Sequence, residues 1–380
     1  MIPLAVPNIG QRERELVLEA VDSGYVSSVG PFVSRFEEEF AAAVGARYAV
    51  ACATGTAAIH IGLVLLGVGP GDLVAVSDFT FVGSSNPVVY QGARLALVDS
   101  EPSTWNLDPS LLADWLDGRA RSGQELPKAV EVVHALGQPA RLADVLEVCG
   151  RYGIPVLEDA AESLGASWSA GTLAGRQTGT VGRLGAFSFN GNKIATTGGG
   201  GMLVTDDEAL ATRAKHLTTQ AKVPDTGYLH DEVGYNYRLT NVAAALGIAQ
   251  VERLPGFVAR KRAVAARYDE AFTDTPLVRP PRVVGYDSTY WLYSVLVDPS
   301  WPGGGDELLA RLEKAGVGAR ALWRPLHAQP PYATAERVGG EVSDGLFARG
   351  LSLPCSTDLT DSDQEAVIAA TCAALAELAP

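Results

Sequence analysis

Apolar positions along the chain follow two alternating rhythms. Gln11 to Ser23 sets Leu16, Val17, Ala20 and Val21 among charged residues, and Ser34 to Ala43 is similarly amphipathic, so both stretches predict surface helices. The run YAVAC then reads as a strand, and the CATGT that closes it opens a helix at Gly55 and Thr56. Further strands are predicted at Leu73 to Val76, at Leu95 to Val98, near Val130 and near Ile154, with a helix over Leu142 to Tyr152. AFSF and GMLVTD add two more strand-like runs around a polar turn. Strands alternating with amphipathic helices over ~200 residues predict an α/β fold whose mostly parallel sheet is covered on both faces. From Leu217 to Leu239 the pattern is irregular and rich in aromatics, which in a compact protein reads as a functional segment or an interface. An alanine-rich helix follows from Thr240 to Arg253. Pro255-Gly256 then marks the expected boundary between a large domain, 1–254, and a smaller α+β domain, 255–380. In the latter the expected elements are a helix to about Phe272, a strand at Tyr290 to Val297, a helix at Asp306 to Ala315, a strand around Ala319 to Trp323 and a closing helix from about Ser362.

Composition narrows the function. A net charge of −14 over 380 residues gives a field that repels nucleic acid and anionic membrane surfaces. Cys52, Cys149, Cys355 and Cys372 are widely spread, with no CxxC pair and no histidines at zinc spacing, so they predict buried thiols rather than a metal site. Met1 leads into IPLAVPNIG without a basic-then-apolar leader, and the apolar run from Ile59 to Val68 is too short to span a bilayer, so the expected location is the cytoplasm.

Chemistry concentrates between Ala186 and Asp206, AFSFNGNKIATTGGGGMLVTD. Only six residues of the chain are lysines, and Lys193 is one of them. Where a positive charge is enough arginine serves, but only the lysine amine condenses with an aldehyde. By itself Lys193 also reads as an ordinary loop lysine beside a glycine turn. The start of the Gly55 helix suits a phosphate, through free N–H groups and the helix dipole, or is a plain helix cap. Asp78, Asp159 and the Ser188 to Lys193 turn all follow predicted strand ends, where ligands of parallel sheets bind. Asp159 serves equally as a helix N-cap, and Glu158 alternates to the other face. An amine, a strand-end acid and an anion-ready helix terminus together match the needs of pyridoxal phosphate.

The chain resembles the DegT/StrS type of fold-type I aminotransferases, which make amino sugars from keto-sugar nucleotides. The resemblance rests on VSSVGPFVSRFEEEFA, CATGTAAIHIGL, DFTFVGSSNPV, VLEDAAESLGA, FSFNGNKIATTGGGGM, GYNYRLTNVAAALGIAQ, RPLHAQPPY and LSLPCS, in order over nearly the whole chain. NGNK with TTGGGG and LTTQAK is most similar to the branch that aminates C4 of UDP-linked 4-keto-6-deoxy-N-acetylhexosamines. The resemblance implies a pyridoxal 5'-phosphate cofactor, L-glutamate as donor, Lys193 as the catalytic amine, and Gly55, Thr56 and Ser188 around the phosphate. It implies Phe81 against the cofactor ring, Asp159 at the ring nitrogen and Glu162 near the ring hydroxyl. Asn236 is expected to reach the site of the other subunit in a homodimer with composite sites, and Arg238 and His327 to face substrate. Glu162 departs from the glutamine or histidine common at its place, and an ionised glutamate cannot donate to a phenolate. Gly199 departs from a common acidic residue. Three other readings stand beside this one: a relative acting on a cyclitol or other ketone, a dehydratase relative that uses the same cofactor without a catalytic lysine, against which Lys193 argues, and a non-catalytic relative that binds an amino-sugar nucleotide.

Overall fold

The computed structural model describes residues 1–301 and 303–377. Its amino-terminal part opens with helices α1 (Gln11–Asp22) and α2 (Pro31–Val44) and strand β1 (Tyr48–Cys52). There follow α3 (Gly55–Leu65), β2 (Leu73–Ser77), α4 (Val82–Tyr90), β3 (Arg94–Val98), α5 (Pro109–Arg121), β4 (Ala129–Val133), α6 (Leu142–Gly150) and β5 (Val156–Asp159). A short β6 (Ser167–Trp168) precedes β7 (Leu184–Ser188), β8 (Gly201–Thr205), α7 (Glu208–Thr218) and α8 (Asn241–Ala271). The remainder contains β9 (Leu277–Val278), β10 (Tyr286–Asp287), β11 (Tyr293–Val297), α9 (Gly304–Lys314), β12 (Arg320–Ala321), β13 (Glu336–Val338), α10 (Glu341–Arg349), β14 (Gly350–Leu353) and α11 (Asp361–Ala376).

Among the described residues the main sheet has eight strands in the order β1-β8-β7-β5-β4-β2-β3-β13, with β8 the only one running against the rest. Its strands are nearly continuous apolar runs because both faces are covered. On one face Val76, Leu97, Leu157, Ala186 and Leu203 pack with Ile59, Ile61 and Val88 of α3 and α4. On the other, Ala75, Val98, Val130 and Val132 pack with Leu112, Leu116, Leu142 and Val145 of α5 and α6. Crossovers of this kind leave the carboxyl ends of β2, β4, β5 and β7 side by side, and the site forms there. A second, antiparallel sheet, β12-β14-β11-β9, carries its own core with α9, α11 and the end of α8.

Two features of the chain cross the expected boundary at Pro255-Gly256. The helices expected on either side of it are one helix, α8, which runs through Pro255. Proline removes a backbone donor and crowds the preceding turn, but Leu254, Phe257 and Val258 around it are all buried, so packing carries the helix through. Chain segments also cross the divide: β13 extends the main sheet beside β3, and Ile2 pairs with Val317 of the smaller part. α8 is long and apolar enough to cross a bilayer by length and composition, yet Ala244, Ala245, Ile248 and Ala249 are buried in the core shared with α1 and α2.

Candidate active site

At the carboxyl edge of the main sheet lies a cleft of about 630 Å³. Gly55, Thr56, Phe81, Asp159, Glu162, Ser188 and Lys193 all line it, joined by Ser84, Asn190, Asn192, Trp291, Arg320 and Trp323. β5 ends at Asp159, β7 ends at Ser188, and the tight turn after β7 carries Lys193. Asp159 is held on both oxygens: Ser84 Oγ–H donates to Oδ2 at 2.7 Å and the Ala161 N–H to Oδ1 at 3.0 Å.

At the other end of the cleft, Thr54 caps α3 by accepting the Ala57 N–H at 3.0 Å. The N–H groups of Gly55 and Thr56, in the first turn, have no carbonyl a turn earlier to bond. Glycine is required at position 55, since a Cβ there would lie 2.8 Å from the Ser188 Cβ. The small residue thus lets the helix terminus and the end of β7 share one wall. In the run after Lys193, Gly200 and Gly201 abut Thr197 and Thr54, whereas Gly199 has open space around it, so a larger side chain would fit there.

Lys193 is partly buried between two unlike neighbours. Its Nζ donates to Glu162 Oε1 at 3.1 Å and lies 4.0 Å from the centre of the Trp291 ring. Glu162 accepts the Leu136 N–H at 2.9 Å on its other oxygen. Burial pushes the Glu162 carboxyl above the usual carboxylate range, and the nearby Lys193 ammonium and Leu136 N–H only partly offset that. Trp291 is fixed in turn, its indole N–H donating to the Asn192 carbonyl at 2.7 Å and its ring stacked on Trp323.

Several expected residues lie elsewhere. Asn236 is exposed and pairs through its backbone with Thr219; Arg238 pairs with Cys52, and its Nε is buried without a partner among the described residues. Neither lines the cleft of its own chain. His327 also lies off the wall: its Nδ1 meets Asp78 Oδ2 at 2.5 Å and its Nε2 is 3.2 Å from Asp344 Oδ1. The reason is Asp78, a buried acid at the end of β2 that needs a donor and takes the His327 backbone N–H as well, at 2.9 Å. Asp78 therefore does not join Asp159 and Lys193. Glu158 does face away, as strand alternation predicts, accepting N–H groups from Gly179, Val181 and Gly182. Trp291, Trp323, Arg320 and Ser84 went unseen in the sequence, since no spacing relates them to Lys193. Cys52, Cys149 and Cys355 are buried, as expected, whereas Cys372, also expected to be buried, is only half-buried on α11.

An amine, a doubly held carboxylate, a helix terminus beside two hydroxyls and a flat aromatic side chain at the rim, Phe81, fit the aldehyde, ring nitrogen, phosphate and ring of pyridoxal phosphate. The family model described as DegT/DnrJ/EryC1/StrS aminotransferase matches residues 7–371. EpsN of Bacillus subtilis (strain 168), assigned by inference as a pyridoxal phosphate-dependent aminotransferase, is 42% identical over 97% of this chain and 94% of its own length. GDP-perosamine synthase of Caulobacter vibrioides is 37% identical, covering 97% of both chains. The crystal structure of the aminotransferase TlmJ from Streptoalloteichus hindustanus superimposes with a TM-score of 0.88 at 33% identity, with all of both chains covered. The chain belongs to the DegT/DnrJ/EryC1/StrS aminotransferase family, and its cofactor is pyridoxal phosphate.

Proposed function

We propose that this protein moves the amino group of L-glutamate onto the keto carbon of a nucleotide-linked keto-deoxysugar, a 4-keto-6-deoxyhexose, leaving the nucleotide in place. The observation that carries the reading is Lys193, an amine at the carboxyl edge of the sheet in the same cleft as Asp159. The substrate class is supported by the likeness to a GDP-perosamine synthase over 97% of both chains.

When bound, pyridoxal phosphate supplies an electron sink for the carbon that gives up a proton. In this reading Gly55, Thr56 and Ser188 hold its phosphate, Asp159 its ring nitrogen and Phe81 one face of its ring. Lys193 supplies the amine that anchors it and afterwards carries the proton between substrate carbon and cofactor as general base and acid. Trp291 and Trp323 wall the cleft and keep water from the reacting atoms.

The enzyme is further proposed to act as a cytoplasmic homodimer. Tyr228 and Val233 are 91% and 83% exposed, which suits surfaces covered by a second copy. Asn236 and Arg238, off the cleft of their own chain, then serve the site of the other subunit. His327, whose ring nitrogens face Asp78 and Asp344, acts on substrate only by fixing the segment that carries Trp323.

Mass spectrometry and NMR of products formed from a panel of UDP-, dTDP- and GDP-linked 4-keto and 3-keto sugars test the reading. An amino sugar still bearing its nucleotide is expected, and a preference for a keto-cyclitol would replace the substrate class. Lys193→Arg is expected to lose both the absorption band of the bound cofactor and turnover.

A further inference from the structure

Glu162 and Lys193 form a partly enclosed pair whose geometry suits proton transfer as well as charge pairing. Oε1 lies 3.1 Å from the lysine Nζ, and the two side chains are 5% and 13% exposed. Leu136 aims its N–H at the other oxygen from a left-handed backbone, φ +58°, a conformation that leucine adopts only when its surroundings hold it. Gly137, next to it, accepts the Thr289 N–H and the Ser288 hydroxyl, which ties this turn to the segment bearing Trp291. Carboxylate, amine and indole are thus positioned by one interlocked unit.

The charged groups around the pair are few. The turn after β7 contributes Lys193, the end of β5 contributes Asp159, and β12 contributes Arg320 on the cleft wall. Asp159 and Lys193 act on Glu162 in opposite directions. The turn after β4 and the segment before β11 contribute the Leu136 N–H and the Trp291 ring.

On the reading of Lys193 as the cofactor-holding amine, we propose that Glu162 is a catalytic base for that amine. Glu162 Oε1 takes one proton from the Lys193 ammonium, which frees the nitrogen lone pair to bond to the aldehyde carbon. The two hydrogens left on nitrogen depart with the aldehyde oxygen as water, and the proton held on Glu162 returns to the nitrogen, so atoms and charge balance. The 3.1 Å line from Nζ to Oε1 carries the proton in either direction. Burial lowers the cost of the neutral acid, while the aromatic face of Trp291 favours the ammonium and leaves the deprotonation to Glu162.

The test is capture of pyridoxal phosphate by the apoenzyme, followed by stopped-flow absorbance, with no sugar or amino donor present. Glu162→Gln keeps an oxygen for the Leu136 N–H but cannot take the proton. A base at this position predicts capture slowed by about 100-fold near neutral pH, and a rate ratio to wild type that approaches one as the pH is lowered through the titration of Glu162. A carboxylate that only stabilises the ammonium predicts the opposite sign, faster capture in Glu162→Gln, and either faster or unchanged capture overturns the proposal. Glu162→Asp should recover part of the rate, and equal unfolding temperatures of the apo forms separate the effect from misfolding. Capture at the normal rate by Lys193→Arg would instead overturn the reading of Lys193, a distinct outcome.

Discussion

Glu158 and Glu131 sit on adjacent strands of the main sheet, both fully buried, and the protein treats them in opposite ways. Glu158 accepts three backbone N–H groups, and the imidazole of His134 lies 2.9 Å from its Oε2. His134 Nδ1 accepts the Ala140 N–H, so its Nε2–H is the donor to the glutamate. Among the described residues Glu131 has no partner on either oxygen, and it lies on the same sheet face as Asp159, one step from it diagonally. Burial, with the charge of Asp159 adding to it, pushes the Glu131 carboxyl well above its usual range. A carboxyl whose affinity for its proton is raised by folding stabilises the fold fully below its unfolded-state pKa, about 4.3. That contribution fades as the pH climbs toward the folded-state value. Glu131→Leu, which removes an unsatisfied polar group, is expected to stabilise the protein by about 1–3 kcal/mol near neutral pH. It should also flatten the decline toward alkaline pH, as measured by urea unfolding over a pH series.

Elements are joined by single side chains reaching far along the chain. Asp99, just beyond β3, accepts the N–H groups of Gly340, Val342 and Ser343 and so caps α10 from some 240 residues away. These hydrogen bonds hold its carboxyl below the usual range in spite of burial. The stability it supplies is therefore present at neutral pH and lost as the pH falls through its depressed pKa. Asp99→Asn should cost about 1.5–3 kcal/mol, the worth of hydrogen bonds to a charged group, and make unfolding less acid-sensitive; chemical denaturation at pH 4 and 7 checks both. Gly55 joins α3 to the end of β7 by close approach. Gly55→Ala, which forces a Cβ against Ser188, is expected to destabilise by about 1–3 kcal/mol and to weaken cofactor binding, measured by thermal shift and by absorbance titration.

At the scale of the whole molecule, the cleft lies between two sheets. The main sheet supplies Asp159, Ser188 and the Lys193 turn, and the smaller sheet and its connections supply Arg320, Trp291 and Trp323. The segments that cross between the two parts, β13 and the run through α8, tie them together. The composite-site reading makes a prediction that no single chain can satisfy. Lys193→Arg and Asn236→Ala should each lack activity, yet mixing them under conditions of subunit exchange should restore about a quarter of wild-type activity, because half of the random dimers carry one intact site. No recovery from a mixture that sedimentation shows to be hybrid dimers would dissociate Asn236 from the partner's site.

Much of this was legible without coordinates. The strand at Tyr48 to Cys52 shows its bounds through five apolar or small residues closed by a glycine-threonine turn, and the strand–helix alternation up to Asp159 predicts the parallel sheet, because both signals are local and periodic. Asp159, Thr56 and Ser188 were legible because each stands at the end of a strand or start of a helix, and Lys193 because it lies in the turn that follows a strand, where parallel topology gathers ligands. The short β13, its attachment to the main sheet and the passage of α8 through Pro255 were not legible, since long-range packing overrules the local signal there. Nor could spacing show that His327 faces Asp78, that Trp291 covers Lys193, or that Glu162 lies beside the lysine amine. The sequence by itself determined which chemical groups the site possesses, because residue type and strand position are written in the chain. Which of those groups touch was decided by the tertiary structure, because side chains 31 to 249 residues apart meet only once the sheet has brought its strand ends together.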